Sequence, residues 1–203
     1  MDNDSKKQME SLAPETVFII GVIIEALLLG AATVWMNVEQ INLSGLFHCN
    51  RKIVITGLNA GLAVTLFNLL IWLMAVRLHE RSALFKSWYD LIYLETLPLF
   101  GRLNFFQRFF LSASAGVCEE IFFRGVVEAD SGILMANLFF AFAHMPKLYY
   151  ISYAGWAMAV GFLMSFLKAK TGGLIAPIIA HTLIDVISLS ILVGIYKRRQ
   201  ALR

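Results

Sequence analysis

The sequence predicts an all-α fold: a polytopic membrane bundle of six or seven helices around a buried polar cavity. Three observations lead there. Of the 203 residues, 59% are apolar or aromatic and only 15% are charged, where soluble domains carry about a quarter charged; mean hydropathy is +0.71. Apolar runs recur at the length of about 20 residues that a helix needs to cross a bilayer. Three separate segments each bring at least one ionisable residue into those runs, in two of them as pairs one helical turn apart, as expected of side chains turned toward one interior cavity.

Residues 17–36 form the first run, broken only by Glu25, with Pro14 ahead of it at a favourable helix-start position. The run is too long for a signal-peptide core and no small-residue cleavage site follows it, so it reads as a retained span. Residues 53–76 are a second span, bounded by Arg51, Lys52 and Arg77. Residues 82–100 mix Trp88, Tyr89 and Tyr93 with Lys86, Asp90 and Glu95. They fit an amphipathic helix at the membrane surface or a span, because aromatic rings favour the interface. Pro98 should kink or end that helix. A long helix over 103–128 and a short one over 131–145 follow, then spans at 149–167 and 173–196 separated by KAKTGG. The chain reads as one integral membrane domain over 1–203, with N-terminal helices at 1–100 and a motif-bearing core at 103–196.

Charge and cysteine usage exclude other classes. Net charge is +3. Basic residues are scattered between apolar runs rather than gathered into a patch, so a nucleic-acid partner is not expected. Lys197, Arg198, Arg199 and Arg203 crowd the C-terminus and favour its cytoplasmic placement. Lys168 and Lys170 compete with Lys147 for the inner side. Cys49 and Cys118 have neither disulfide-framework nor metal spacing; Cys118 reads as a small apolar filler. The Gly57–Gly61 spacing is a common helix-packing signal, and Phe105, Phe106, Phe109 and Phe110 read as a lipid-facing or core stripe.

The chemistry concentrates in VCEEIFFRG, residues 117–125. Glu120 and Arg124, four apart, share a helix face and can pair, and Glu128 continues that face. Glu119 is rotated about 100° away, which leaves one carboxylate without the arginine. A carboxylate in a low-dielectric cavity with no matched cation is the kind of group that works as a general base near neutral pH. FAFAH puts Phe140 and His144 four apart at the end of the short helix, and HTLID does the same with His181 and Asp185. Each signal alone is as readily structural: a histidine as a helix–helix hydrogen-bond partner, the Glu120–Arg124 pair as packing. Glu25 and Asn68, without partners in sequence, read as structural or cavity-lining. Together, Glu-Glu, His and His-Asp on three apolar helices favour function.

At these residues the chain resembles the CAAX protease and bacteriocin-processing family of intramembrane proteases. EEIFFR (Glu119–Arg124) resembles its EExxxR motif, FAFAH its FxxxH and HTLID its HxxxN/D, in the same order. The resemblance covers 103–196, and the N-terminal half carries no such signature. It implies peptide hydrolysis inside a membrane-embedded cavity. Glu119 would activate water with His144; His181 and Asp185 would stabilise the oxyanion; Arg124 would hold Glu120 and orient the site, with Phe140 in support. An ionised Asp185 cannot donate to the oxyanion, so it either holds His181 as imidazolium or donates in its protonated form.

A metal-free reaction is favoured over one at a divalent ion such as zinc, for which Glu119, His144, His181 and Asp185 are the ligand set. The function expected is an intramembrane endopeptidase acting on a peptide or protein reached through the membrane. The alternatives are a non-catalytic immunity or scaffold protein that binds a partner in the cavity, and a transporter, for which no repeat is visible.

Overall fold

A computed structural model describes residues 12–202. The polar stretch before residue 12 and Arg203 of the basic C-terminal cluster lie outside the described residues. The fold is all-α, and no strand occurs among the described residues.

Helix α1 (Pro14–Val38) starts on its proline. Helix α2 (Arg51–Leu78) starts where the Asn50 side chain accepts from the Ile53 amide, satisfying one of the free amides at a helix N-terminus. The segment 83–100 winds as α3 (Ala83–Asp90), a π-helical stretch (Leu91–Thr96) and α4 (Leu97–Phe100). It ends two residues after Pro98, as expected of a proline near a helix end. Helix α5 (Phe105–Glu119) opens on a reciprocal Asn104–Gln107 capping box. The chain then passes through a second π-helical stretch (Glu120–Val127) into α6 (Glu128–Ala143). Helices α7 (Ile151–Thr171) and α8 (Ile175–Ala201) complete the bundle.

Among the described residues, five helical segments are long and apolar enough to cross a membrane: 14–38, 51–78, 105–143, 148–171 and 175–201. The two helices expected over 103–128 and 131–145 join into the third of these. Gly132, at φ 86° and ψ 167°, bends the chain at their junction, a backbone state open to glycine. The 83–100 segment is not among the five, so of its two sequence readings it fits the short amphipathic one.

Large apolar side chains on α1 and α2 stand exposed, among them Ile20, Ile24, Leu27, Leu62, Leu66 and Leu70. A fold that buries polar side chains and exposes a belt of isoleucine and leucine is a multi-pass membrane protein, because lipid rather than water covers that belt. The phenylalanine stripe at 105–110 is exposed in the same way. The Gly57–Gly61 pair packs α2 onto α8. A methyl group on them would stand 2.7 Å from the Ala176 carbonyl oxygen and 2.9 Å from that of Ala180. The close approach sets α8, and with it His181, deep in the bundle.

Candidate active site

Glu120 and Arg124 are completely buried. Arg124 Nη1 donates to Glu120 Oε1 at 3.2 Å, the pairing that their spacing predicts. A guanidinium has five N–H donors to satisfy, and the bundle supplies further partners. Phe140 lies with its ring 4.2 Å beneath the guanidinium carbon, a cation–π contact. Arg124 Nη2 reaches Asn137 Oδ1 at 3.5 Å. Asn137 donates to Ser165 Oγ at 3.2 Å, and Ser165 donates to Glu128 Oε2 at 2.6 Å. Lys168 closes this network, donating to Glu128 Oε1 at 3.1 Å and to the Arg124 carbonyl at 2.6 Å. Glu128 thus serves Lys168 and Ser165 rather than Arg124. The sequence reading of its helix face did not foresee this.

The π-helical winding at 120–127 is where this network meets the motif. Such stretches occur where a helix is bent to functional demands, and no residue pattern announced it here. Winding continues without a break from Glu119, so the two neighbouring carboxylates diverge: Glu120 into the arginine network, Glu119 toward the histidines.

His181 joins the two sides. Its Nδ1 lies 2.8 Å from Glu120 Oε1, the oxygen that Arg124 also engages. Its Nε2 faces Asp185 Oδ2 at 3.6 Å and Glu119 Oε2 at 4.0 Å. His144 approaches the same Glu119 oxygen, with Nε2 at 3.8 Å. The His144 Nδ1 proton is directed to the Phe140 carbonyl at 2.8 Å. This fixes the ring and, in its neutral form, turns an unprotonated Nε2 toward Glu119. Glu119 Oε2 is buried and has no hydrogen-bond partner. Buried polar atoms in this condition are rare and mark sites of reaction or bound water. The seven residues expected at the site, Glu119, Glu120, Arg124, Phe140, His144, His181 and Asp185, therefore meet in one place.

An apolar cavity of about 280 Å³ opens beside the imidazoles. His144, His181, Asp185 and Tyr153 line its polar end, and Trp72 and Trp88 line its apolar reach. Asn68, without a partner in the sequence reading, accepts from Trp156 Nε1 at 2.9 Å and lines the same cavity. Tyr153, Asn137, Ser165 and Lys168 were not singled out from sequence. Their partners lie on other helices, which spacing within one helix does not reveal.

Glutamate, histidine and aspartate are zinc donors by type. Among the described residues, however, no three such side chains are grouped so as to hold a metal ion.

Residues 101–187 match the family model described as Rce1-like, type II CAAX prenyl endopeptidase Rce1-like. The match covers all three motifs and agrees with the CAAX protease resemblance drawn from them. The matched residues are the motif-bearing part of the chain. The chain is also 30% identical over 94 residues to the uncharacterized protein YpbD of Bacillus subtilis (strain 168), covering 44% of this chain and 47% of that protein. It thus spans about half the length of that curated relative. No solved structure matches.

Proposed function

We propose that the protein is an intramembrane endopeptidase that cleaves a peptide bond with water activated by Glu119 and His144. The observation that carries this reading is the convergence of two imidazole Nε2 atoms, from His144 and His181, on one buried and unpartnered Glu119 oxygen at 3.8 and 4.0 Å. Groups at these separations are too far apart for direct hydrogen bonds and are suited to share a small molecule between them.

Amide hydrolysis needs a base for water, a donor for the oxyanion and a proton for the leaving amine. Glu119 accepts a proton from water while His144 Nε2 orients the molecule. The water oxygen adds to the carbonyl carbon. The oxyanion that forms is stabilised by His181. With Glu120 on Nδ1 and Asp185 beside Nε2, His181 in its imidazolium form donates from Nε2. The carbon–nitrogen bond then breaks, Glu119 returns the proton to the amine, and a carboxylate and an amine leave. Arg124 holds Glu120 in place, and Phe140 supports Arg124.

The substrate is a peptide or protein segment entering from the bilayer into the apolar cavity. In this reading the reaction is metal-free, and Lys197, Arg198 and Arg199 favour a cytoplasmic C-terminus. The test is hydrolysis of a peptide library by the purified protein in lipid. Glu119→Gln and His144→Ala should abolish cleavage while both proteins stay folded. Wild-type cleavage by either variant would reject the mechanism. No hydrolysis by wild type, with the cellular phenotype preserved in Glu119→Gln, would instead support a binding or immunity role.

A further inference from the structure

The site has a further acid on a helix outside the matched family region. Helix α1 runs alongside α5 and the π-helical stretch, and its contacts advance in step with them. The Phe18 and Phe110 rings lie 5.8 Å apart. Gly21 faces the Leu111 side chain, 2.7 Å from where a methyl group on the glycine would sit. Leu28 packs on the cluster holding Phe123 and Phe140, with Phe122 beside it. Ala32 packs with Val126. Residues 18, 21, 28 and 32 occupy one face of a helix of 3.6 residues per turn, and Glu25 falls on that face, four after Gly21 and three before Leu28. The contacts on either side bracket it between Leu111 and Phe122, level with Cys118 and Glu119. Glu25 Oε2 is accordingly buried and without a hydrogen-bond partner. Its charge acts on Glu119, His181 and Asp185.

An unpartnered carboxylate oxygen buried in a lipid-facing helix is destabilising, and a leucine there would serve α1 better. Nothing in the packing of α1 requires an acid. We propose that Glu25 is a positioning residue of the active site, which acts through Glu119 by setting the charge that the catalytic carboxylate faces. The charged and titratable groups that interact with it are Cys118 and Glu119 from α5 and His181 and Asp185 from α8. Only Glu119 among these is a carboxylate with a buried oxygen free to respond and no cation bonded to it.

The inference rests on the peptidase reading only in its kinetic arm, so a second arm reads Glu119 directly. Full-length wild type, Glu25→Gln, Glu25→Leu and Glu25→Asp are compared in lipid. The expected result for Gln and Leu is kcat lower by about tenfold, below the 10²–10⁴ of a direct proton-transfer group. KM should be unchanged and thermal stability equal or higher, while Asp recovers part of the loss. Labelling of Glu119 by dicyclohexylcarbodiimide, followed by mass spectrometry, reports its protonation and access whether or not the protein cleaves anything. Its rate should change by about fivefold or more in Glu25→Gln, the lower range of ordinary coupling between sites. If wild type cleaves nothing, the peptidase reading fails while a changed labelling rate still supports the role of Glu25. Wild-type labelling of Glu119 in both Glu25→Gln and Glu25→Leu overturns the inference.

Discussion

His181 Nδ1 and Arg124 Nη1 meet the same atom, Glu120 Oε1, at 2.8 and 3.2 Å. One fully buried carboxylate thereby ties the arginine of its own motif to the histidine of another, which lies 61 residues from Glu120 in sequence. In the proposed mechanism it orients the ring whose other nitrogen faces Glu119. A buried ion pair contributes little net stability when intact, because desolvation offsets its attraction, but removal of one partner is severe.

Arg124→Met leaves Glu120 buried without its cation. Loss of about 3–5 kcal/mol is expected, measured as a lower unfolding midpoint in detergent. The double variant Glu120→Leu with Arg124→Met should be less destabilised than Arg124→Met alone, although catalytically dead.

Ser165→Ala removes the hydroxyl that links Asn137 to Glu128. It should cost about 1–3 kcal/mol for the unsatisfied groups left behind and lower kcat through a less constrained Arg124. The measurement is thermal unfolding beside single-turnover kinetics. A stability loss with unchanged kcat would confine the network to packing.

The turn that follows His144 is fastened by Lys147 Nζ to Glu95 Oε1 at 2.5 Å, and Tyr150 donates to the same oxygen at 2.9 Å. Burial of Glu95 opposes its ionisation. The bonds from Lys147 and Tyr150 outweigh burial, so its carboxyl lies below the ordinary value of 4.5. A group lowered in the folded state contributes stability above its ordinary value, and loses it as pH falls through the folded one. Thermal midpoints should therefore drop on acidification through that range more steeply in wild type than in Glu95→Gln. With the Lys147 side chain 44% exposed, the difference should stay below about 1 kcal/mol.

Ser188 lines the apolar cavity on α8, seven residues beyond His181 and three beyond Asp185. Ser188→Phe should fill part of the cavity and raise KM for apolar peptides while leaving the unfolding midpoint near wild type. An unchanged KM would place the substrate elsewhere.

Much of this arrangement was legible in the sequence. Spacings of four within apolar helices gave Glu120–Arg124, Phe140–His144 and His181–Asp185, because a helix face is fixed by local geometry. Hydropathy gave the long helices. Neither says which faces meet, so the bond from His181 to Glu120, the partners of Glu128 and the place of Glu25 were hidden. The π-helical winding at 120–127 was hidden for another reason: its residues are ordinary helix formers, and tertiary contacts decide how they wind.

Prolonged dialysis against a chelator should leave cleavage unchanged if Glu119 and His144 alone activate water. Activity lost on dialysis and restored by zinc would move these residues into a metal-ligand role.

The most direct measurement compares, by mass spectrometry, membrane-derived peptides from cells carrying wild type or Glu119→Gln at equal abundance. Glutamate-driven hydrolysis predicts a set of new termini present with wild type and missing with the variant, since removal of a general base costs about 10²–10⁴ in rate or more. The same termini at the same levels with both proteins would contradict it.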